Sequence, residues 1–325
     1  AFAGKKTPGI IRELEWIIEY DTGGDPVKGC KWTHKTTAKV AEALKPADIH
    51  VSANTVARLL KQMDYSLRVN IKNLESGLSK PPDPVERDAQ FRYIMKQSRS
   101  YAAEGIPVIS VDTKSRELIG AFHQAGRRWS REPLEVFDHD FPSDADGVAI
   151  PYGIYDPSRN HGFVSVGTTC DTSQFAVDAI KTWWSEFGTR HYPRANRLLI
   201  LADCGGSNGY RTRLWKHQLQ HAFCDHFGMR VCVSHYPPGS SKWNPIEHRM
   251  FSFISKNWAA QPLRDYNTVL NFIRATKTSS GLRVCARLNT KNYPKGTKIS
   301  DQQMQQINLR HHTARPKWNY SISPS

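Results

Sequence analysis

The chain has 325 residues, with 45 Lys and Arg against 30 Asp and Glu and a net charge of +15, which is enough length for two domains with separate cores. No signal-like start and no run of about 18 apolar residues is present, so neither secretion nor a membrane span is expected. The six cysteines form no CxxC pair, which favours free thiols in a reducing, cytoplasmic compartment.

Residues 1–80 are predicted to form a helical domain. Thr7-Pro8 is a helix-start signal, and two further helices are expected to begin at Thr36 or Thr37 and at Ser52. The residues expected to face inward are Ile10, Ile11, Leu14, Ile17 and Ile18 in the first helix, Val40, Ala41 and Leu44 in the second, and Val56, Leu59, Leu60 and Met63 in the third.

The second and third of these helices are short and closely connected, which suits a helix-turn-helix that reads the major groove of DNA. The outward residues of the third helix would then contact DNA, and they are Asn54, Thr55, Arg58 and Lys61. The alternative is an ordinary helical hairpin whose outer face is simply solvated.

Residues 81–105 are predicted to be a Pro-rich linker followed by a helix from about Pro84 to Gly105. From residue 106 to residue 260 short apolar strands come first, including a hairpin around DPSRN, and strands then alternate with helices. This order predicts an α/β domain with an RNase H-like mixed five-stranded sheet flanked by helices. Residues 261–325 are expected to be a basic C-terminal extension whose Trp318 and Tyr320 track the DNA backbone, or else a partly flexible tail.

The positive charge is concentrated at the two ends of the chain. Residues 251–325 contain 12 basic and 2 acidic side chains, whereas residues 107–250 carry a net charge of only +1. Basic flanks around a nearly neutral centre are typical of a protein that holds a polyanion and performs chemistry between its ends. We therefore expect a nucleic-acid partner, although a basic surface also serves solubility.

Three acidic residues in distinct settings indicate what that chemistry is. Asp112 and Asp203 each end a short apolar run, as in VISVD and LLILAD, and Glu247 begins a stretch with helical spacing. If the three carboxylates converge, they can hold two Mg²⁺ or Mn²⁺ ions about 3.5–4 Å apart for phosphodiester cleavage and transfer. Singly, each acid is equally well explained as a turn residue, a helix cap or a surface charge.

Other polar residues receive weaker interpretations. The glycine-rich turn after Asp203 matches no nucleotide-binding motif, and it is expected to bring Asn208 and Arg211 near substrate phosphates. Asp138, Asp140, Asp144 and Asp146 are expected to form a solvated loop, and Asp171 to cap a helix. The histidines and cysteines between His217 and His235 lack zinc-site spacing, so packing or DNA-facing roles are favoured over zinc.

Several long stretches resemble bacterial insertion-sequence DDE transposases of the ISAzo type. They include PVISVDTKSRELIGAF, RLLILADCGGSNGYRTRLWK and PPGSSKWNPIEHRMFSFISKNW. The resemblance implies an RNase H-like catalytic domain, Mg²⁺ or Mn²⁺, and Asp112, Asp203 and Glu247 as the catalytic and metal-binding triad. It also implies DNA contacts by Lys242 and Trp243. Cys204 departs from the pattern, because glycine is expected at that position.

The resemblance therefore implies a DNA transposase that cuts and joins DNA strands at the ends of an insertion sequence. Its partners would be double-stranded DNA, as terminal inverted repeats and target, and a second copy of the chain or more, in the bacterial cytoplasm at the nucleoid. Two alternatives stay open: a structure-specific nuclease of the same fold, and an inactive DNA-binding protein derived from a transposase.

Overall fold

The computed structural model describes residues 9–20, 23–25, 30–32, 36–65, 83–128 and 130–325, with side chains for 9–17, 36–65, 83–128 and 130–325. The chain divides into two compact units, Ala1–Asn73 and Leu74–Ser325. Thr7-Pro8 and the side chain of Ile18, which the sequence placed in the first helix, lie outside this described part.

The described residues of the first unit form three α-helices and one pair of short antiparallel strands. The helices are α1 (Ile10–Tyr20), α2 (Thr37–Leu44) and α3 (Ala53–Gln62), and β1 (Gly23–Asp25) pairs with β2 (Cys30–Trp32). The hydroxyl of Thr36 accepts a hydrogen bond from Lys39 N and that of Ser52 accepts one from Thr55 N, which caps α2 and α3 as predicted. The core of this unit contains Ile10, Leu14, Ile17, Val40, Ala41, Leu44, Ile49, Val56 and Leu59.

Residues 45–52 connect α2 to α3, and they include a 3₁₀ turn at Lys45–Ala47 and a left-handed Asp48 with φ 56°. A helix-turn-helix connection has roughly 3–4 residues, and this one is longer. The helix-turn-helix therefore stays a prediction.

The second unit is built on a single mixed sheet. Its helices are α4 (Pro84–Ala103), α5 (Ser173–Trp183), α6 (Arg213–Gln218), α7 (Ser252–Asn257), α8 (Tyr266–Ala275) and α9 (Asp301–Gln305). Its strands are β3 (Val108–Thr113), β4 (Glu117–Ile119), β5 (Gly147–Asp156), β6 (His161–Gly167), β7 (Arg197–Ala202), β8 (Arg230–His235), β9 (Arg283–Asn289), β10 (Leu309–His311) and β11 (Asn319–Ile322).

The order of strands in this sheet is β10-β11-β8-β7-β3-β5-β6-β9, with β4 paired to β5. Antiparallel pairing joins β3 to β5 and β5 to β6, whereas β3, β7 and β8 run parallel. Short apolar runs explain the central strands, because parallel strands covered on both faces need apolar side chains at nearly every position.

Helices cover both faces of the sheet. Successive residues of a strand point to opposite faces, so Leu198 and Ile200 of β7 pack with α5 and α6, while Leu199 and Leu201 pack with α4. Farther along that second face, α7 and α8 cover β6 through Val164 and Val166. The result is a mixed sheet flanked by helices.

Two predictions about this unit are wrong. For residues 106–260 the sequence predicted five strands, whereas the described residues of that range supply six of the nine strands in the sheet. The C-terminal segment supplies three of them, and Trp318 and Tyr320 are buried and do not track DNA. The reason is that β11 pairs with β8 along its whole length and so becomes an interior strand.

In the described part of the chain, no helix is long and apolar enough to cross a membrane.

Candidate active site

Asp112 lies near the end of the central strand β3, where β5 flanks it on one side and β7 on the other. Its Oδ1 accepts a hydrogen bond from the backbone N–H of Thr113 at 2.8 Å. In the parallel pairing of β3 with β7, Val111 lies opposite Ala202. The next residues along the two strands are Asp112 and Asp203, so the register alone brings these two carboxylates to the same edge of the sheet.

Asp203 leads from β7 into the glycine-rich turn. Gly206 has φ +72°, a left-handed conformation that favours glycine, and it begins the 3₁₀ turn Gly206–Asn208. Cys204 is compatible with this turn, because its φ is outside the left-handed region and its Sγ donates to the Tyr236 carbonyl at 2.8 Å. The substitution of cysteine for the expected glycine is therefore accommodated without backbone strain.

Glu247 lies in the first turn of a helix that starts at Pro245, and a π-helical segment, Glu247–Phe251, continues from there into α7. The apolar face of this helix fixes the position of Glu247, because Ile246, Met250 and Ile254 are buried against the sheet. Gly153, opposite Asp112 in β5, allows this close approach, since a Cβ there would lie 2.5 Å from the Phe251 ring. A π-helical turn is frequent at functional sites.

The three acids border two cavities. Asp112 and Asp203 line a cavity of about 650 Å³ together with Asp171, Asn208 and Arg211. Glu247 lines a second cavity of about 540 Å³ with Lys114, Lys242 and His248. Ser241 belongs to both linings, so the two cavities are adjacent.

Burial raises the pKa of all three carboxyl groups, and repulsion by neighbouring carboxylates adds to this at Asp112 and Asp203. Burial, reinforced by the Asp203 carboxylate, raises the pKa of Asp112 to about 8. Burial raises the pKa of Asp203 to about 6, although the Asn244 amide lowers it in part. Burial also raises the pKa of Glu247, against the opposing effects of His248 and Lys114. Clustered carboxylates with raised pKa values are typical of a site that binds cations, because a bound cation neutralises their charge.

The donor chemistry of this cluster fits Mg²⁺ or Mn²⁺, which prefer hard carboxylate oxygens. The carboxylates of Asp112, Asp203 and Glu247 are close enough to change one another's pKa. Nevertheless, among the residues that the structure describes, no group of three or more His, Cys, Asp or Glu side chains is already arranged to hold a metal ion. The three acids thus lie close together, and a bound metal would neutralise their charge. Their side chains are not arranged as a complete set of metal ligands.

The residues predicted to contact DNA fall into three places. Asn208 and Arg211 line the larger cavity, where Asn208 is only 1% exposed and Arg211 is exposed. Lys242 and Trp243 directly follow residues 237–241, which line the larger cavity. Trp243 is 57% exposed, and its ring contacts that of Phe91. Asn54, Thr55, Arg58 and Lys61 lie on α3 in the first unit, all of them exposed except Thr55, which is half-buried.

Sequence reasoning missed four residues around the acids. Asn244 donates a hydrogen bond from Nδ2 to Asp203 Oδ1 at 3.1 Å. Lys114 forms a largely buried ion pair with Glu117 at 2.7 Å beside Glu247. Asp171 is not the helix cap, since Thr172 caps α5, and it instead accepts a hydrogen bond from Thr113 Oγ1. Of these residues, only Asn244 could have been found from the sequence, because it lies three residues before Glu247.

His235 is the fourth missed residue, and it connects Asp203 to the C-terminal strand. Burial lowers the pKa of His235 to about 4, so the ring is neutral at physiological pH. Its Nδ1 lies 2.8 Å from the Asp203 carbonyl, which can only accept, so Nδ1 carries the proton. Nε2 must then accept from the Tyr320 hydroxyl at 3.1 Å.

The remaining predictions about polar residues are simpler. Asp138, Asp140, Asp144 and Asp146 are all exposed, as expected for a solvated loop. The His217 and His221 rings contact each other at 4.4 Å between centroids, and within the described residues they belong to no metal-holding group.

Comparison with known proteins identifies the family. A family model described as the Rhodopirellula transposase DDE domain matches residues 13–324. The chain belongs to this family of DDE transposases. It is therefore a DNA transposase, an enzyme that breaks and joins phosphodiester bonds.

Solved structures and curated proteins add little to this assignment. The transposase is similar to the Mos1 transposase paired-end complex with left transposon end, at 13% identity and a TM-score of 0.44, covering 81% of this chain and 69% of that chain. It is also similar to the Mos1 strand transfer complex, at 14% identity and a TM-score of 0.43, covering 81% of this chain and 68% of that chain. No curated protein matches the chain in sequence.

Proposed function

We propose that Asp112, Asp203 and Glu247 are the catalytic carboxylates of this transposase and that they hold two Mg²⁺ or Mn²⁺ ions. The observation that carries the proposal is the convergence of three half-buried acids, from two strand ends and one helix, on two adjacent cavities. When bound, such ions would activate the attacking water or 3′-hydroxyl and neutralise charge on the phosphate.

The arrangement of the central strands supports an RNase H-like class for the catalytic domain. The antiparallel strands β6, β5 and β3 continue into the parallel strands β7 and β8. This agrees with the order of elements that the sequence predicted for residues 106–260. The other proposed boundaries are a DNA-binding domain at 1–80, a linker and helix at 81–105, and a segment at 261–325 that extends the sheet.

Unpaired polar groups support a phosphodiester as the occupant of the larger cavity. Asn208 Nδ2 and Ser240 Oγ belong to residues that line this cavity, and neither has a hydrogen-bond partner among the described residues. Burying a polar group without a partner costs about 1–3 kcal/mol, and a bound phosphate and sugar would recover that cost. Arg211, whose guanidinium lies over the Tyr210 ring, would add positive charge at the mouth of the cavity.

Lys242 lines the smaller cavity, and with the neighbouring Trp243 it would contact DNA there. The Lys242 ammonium lies 5.8 Å from the centre of the exposed Trp243 ring. A cation beside an exposed aromatic face suits a DNA backbone with an unstacked base. Two element ends must be joined to one target, so the active form would be a homodimer or larger assembly on DNA.

The experiment that tests this function is cleavage and joining of labelled terminal-repeat DNA with Mg²⁺ or Mn²⁺. We expect Asp203→Asn to slow both reactions by at least about 10³-fold, the order of loss for an essential catalytic group. Asp140→Asn removes an exposed loop carboxylate and is the matched control that should retain activity. Equal cleavage by wild type and Asp203→Asn would overturn the assignment of the site.

End-specific binding separates the transposase function from a nuclease of the same fold. If α3 reads the terminal repeat, Asn54→Ala should relax sequence preference, and Lys61→Ala should weaken binding to all DNA and reduce the salt dependence by about one phosphate contact. Arg12→Ala, on the exposed side of α1, is the control. Fluorescence anisotropy with terminal-repeat and random DNA at several salt concentrations measures both effects. Identical affinity for the two DNAs in the wild type would favour the nuclease.

A further inference from the structure

The side chain of Asn244 is fully buried, at 0% exposure, between the acid-bearing segments. Its Nδ2 donates to Asp203 Oδ1 at 3.1 Å and to the carbonyl of Val111 at 3.2 Å. Its Oδ1 accepts a hydrogen bond from the hydroxyl of Ser110. All of its amide hydrogens and its acceptor are therefore used within the protein.

These partners fix which way the amide points. A carbonyl and a carboxylate oxygen can only accept, so the nitrogen of Asn244 must face Val111 and Asp203. Ser110 has a single hydroxyl hydrogen and gives it to Asn244, while its oxygen accepts from the backbone N–H of Ile246 at 3.2 Å. A rotated amide would place oxygen against oxygen on one side, so only one orientation is stable.

The network reaches all three acidic residues. Val111 immediately precedes Asp112, and Asp203 is bound directly. The backbone carbonyl of Asn244 accepts from Glu247 N at 3.1 Å at the start of the π-helical turn. The buried amide thus joins the segment that carries Glu247, to which Asn244 itself belongs, to the segments that carry Asp112 and Asp203.

We propose that Asn244 and Ser110 are positioning residues that fix the three carboxylates relative to one another for divalent cations. This inference rests on the proposed function and deepens it. Asn244 touches no reacting atom; it acts by holding Asp203 in one rotamer and by tying the start of the Glu247 helix to β3. Ser110 acts through Asn244 by fixing the orientation of its amide.

The experiment measures Mn²⁺ binding to the full chain without DNA, by calorimetry or electron paramagnetic resonance, together with the Mn²⁺ dependence of end cleavage. Loss of a residue that orients a metal ligand weakens metal affinity about 10–100-fold. We expect Asn244→Ala to weaken Mn²⁺ binding by that factor and Ser110→Ala to weaken it by a smaller one. Because Ser110 acts through Asn244, the double variant should bind Mn²⁺ no more weakly than Asn244→Ala alone.

The matched control is Gln220→Ala. Gln220 is also a fully buried amide, but its Nε2 donates to Asp225 and to the Ser323 carbonyl, away from the three acids. The Gln220→Ala variant should have a lower melting temperature, as Asn244→Ala should, but its Mn²⁺ affinity should be unchanged. If Asn244→Ala does not fold, Ser110→Ala still removes the orienting hydroxyl and carries the test.

Two unfavourable results have different meanings. Wild-type protein that binds Mn²⁺, with Asn244→Ala and Ser110→Ala both within twofold of it, would overturn the positioning role alone. Wild-type protein that neither binds Mn²⁺ nor cleaves DNA would overturn the proposed metal-dependent function, and the positioning role with it.

Discussion

Replacing Asp112 with asparagine is expected to abolish strand cleavage and, at the same time, to stabilise the metal-free protein. Cleavage should fall by at least about 10³-fold, because one of the three proposed catalytic carboxylates is lost. Stability should rise because a buried carboxylate beside Asp203 is unfavourable when it is charged. Activity and stability therefore change in opposite directions, as occurs where a site is strained for function.

The stabilisation should depend on pH with a definite sign. The pKa of Asp112 is about 8 in the folded protein, whereas an unfolded Asp has a pKa of about 3.9. Between these values the folded state binds more protons than the unfolded state, so stability falls as pH rises through this window. The difference between Asp112→Asn and wild type should thus be largest near pH 8 and vanish near pH 4.

Thermal melting without divalent metal, at several pH values, measures this effect. Added Mn²⁺ should raise the melting temperature of the wild type, because a ligand that binds only the folded state stabilises it, and should do so much less in Asp112→Asn. Asp140→Asn should change neither curve. A variant that melts at or below the wild-type temperature near pH 8 would contradict the expected repulsion.

Replacing Tyr320 with alanine is expected to give the largest loss of stability. Tyr320 is fully buried in β11, and its hydroxyl accepts from Trp215 Nε1 at 2.9 Å and donates to His235. Truncating a buried aromatic side chain costs about 3–5 kcal/mol. Tyr320→Phe should cost about 1–3 kcal/mol, because it leaves Trp215 and His235 without a buried partner.

Urea unfolding followed by tryptophan fluorescence measures both changes. Lys317→Ala is the control, since Lys317 belongs to the same basic segment but forms an exposed ion pair with Glu86, and such pairs contribute about 0–1 kcal/mol. Removing residues 319–325 should prevent stable folding of the second unit. If Tyr320→Ala were as stable as Lys317→Ala, this segment would be a tail after all.

The two aspartates could be predicted from sequence because their setting is local. An apolar run that ends in an acid indicates a buried strand, and the parallel register then brings Asp112 beside Asp203. Glu247 was predictable for a similar reason, because the spacing of Ile246, Met250 and Ile254 alone defines a buried helix face. The π-helical form of its first turn had no local signal.

The C-terminal strands and Asn244 were missed because long-range pairing determines them. The stretch NYSI contains polar residues that become buried only through β8, and Asn319 pairs its amide with Gln90, which lies 229 residues earlier. Asn244 lies in a polar turn that looks like a surface loop until Ser110 and Asp203 are placed around it. Composition suggested a basic tail, whereas the pairing of distant segments produced an interior strand.

The position of β11 also has a consequence for synthesis on the ribosome. β7 and β8 are translated well before residues 319–322, which later cover the free edge of β8. Until then the His235 ring behind Asp203 lacks the Tyr320 hydroxyl, and an uncovered strand edge is open to pairing with other chains. The sheet of a nascent transposase is therefore incomplete until β11 has emerged and paired with β8.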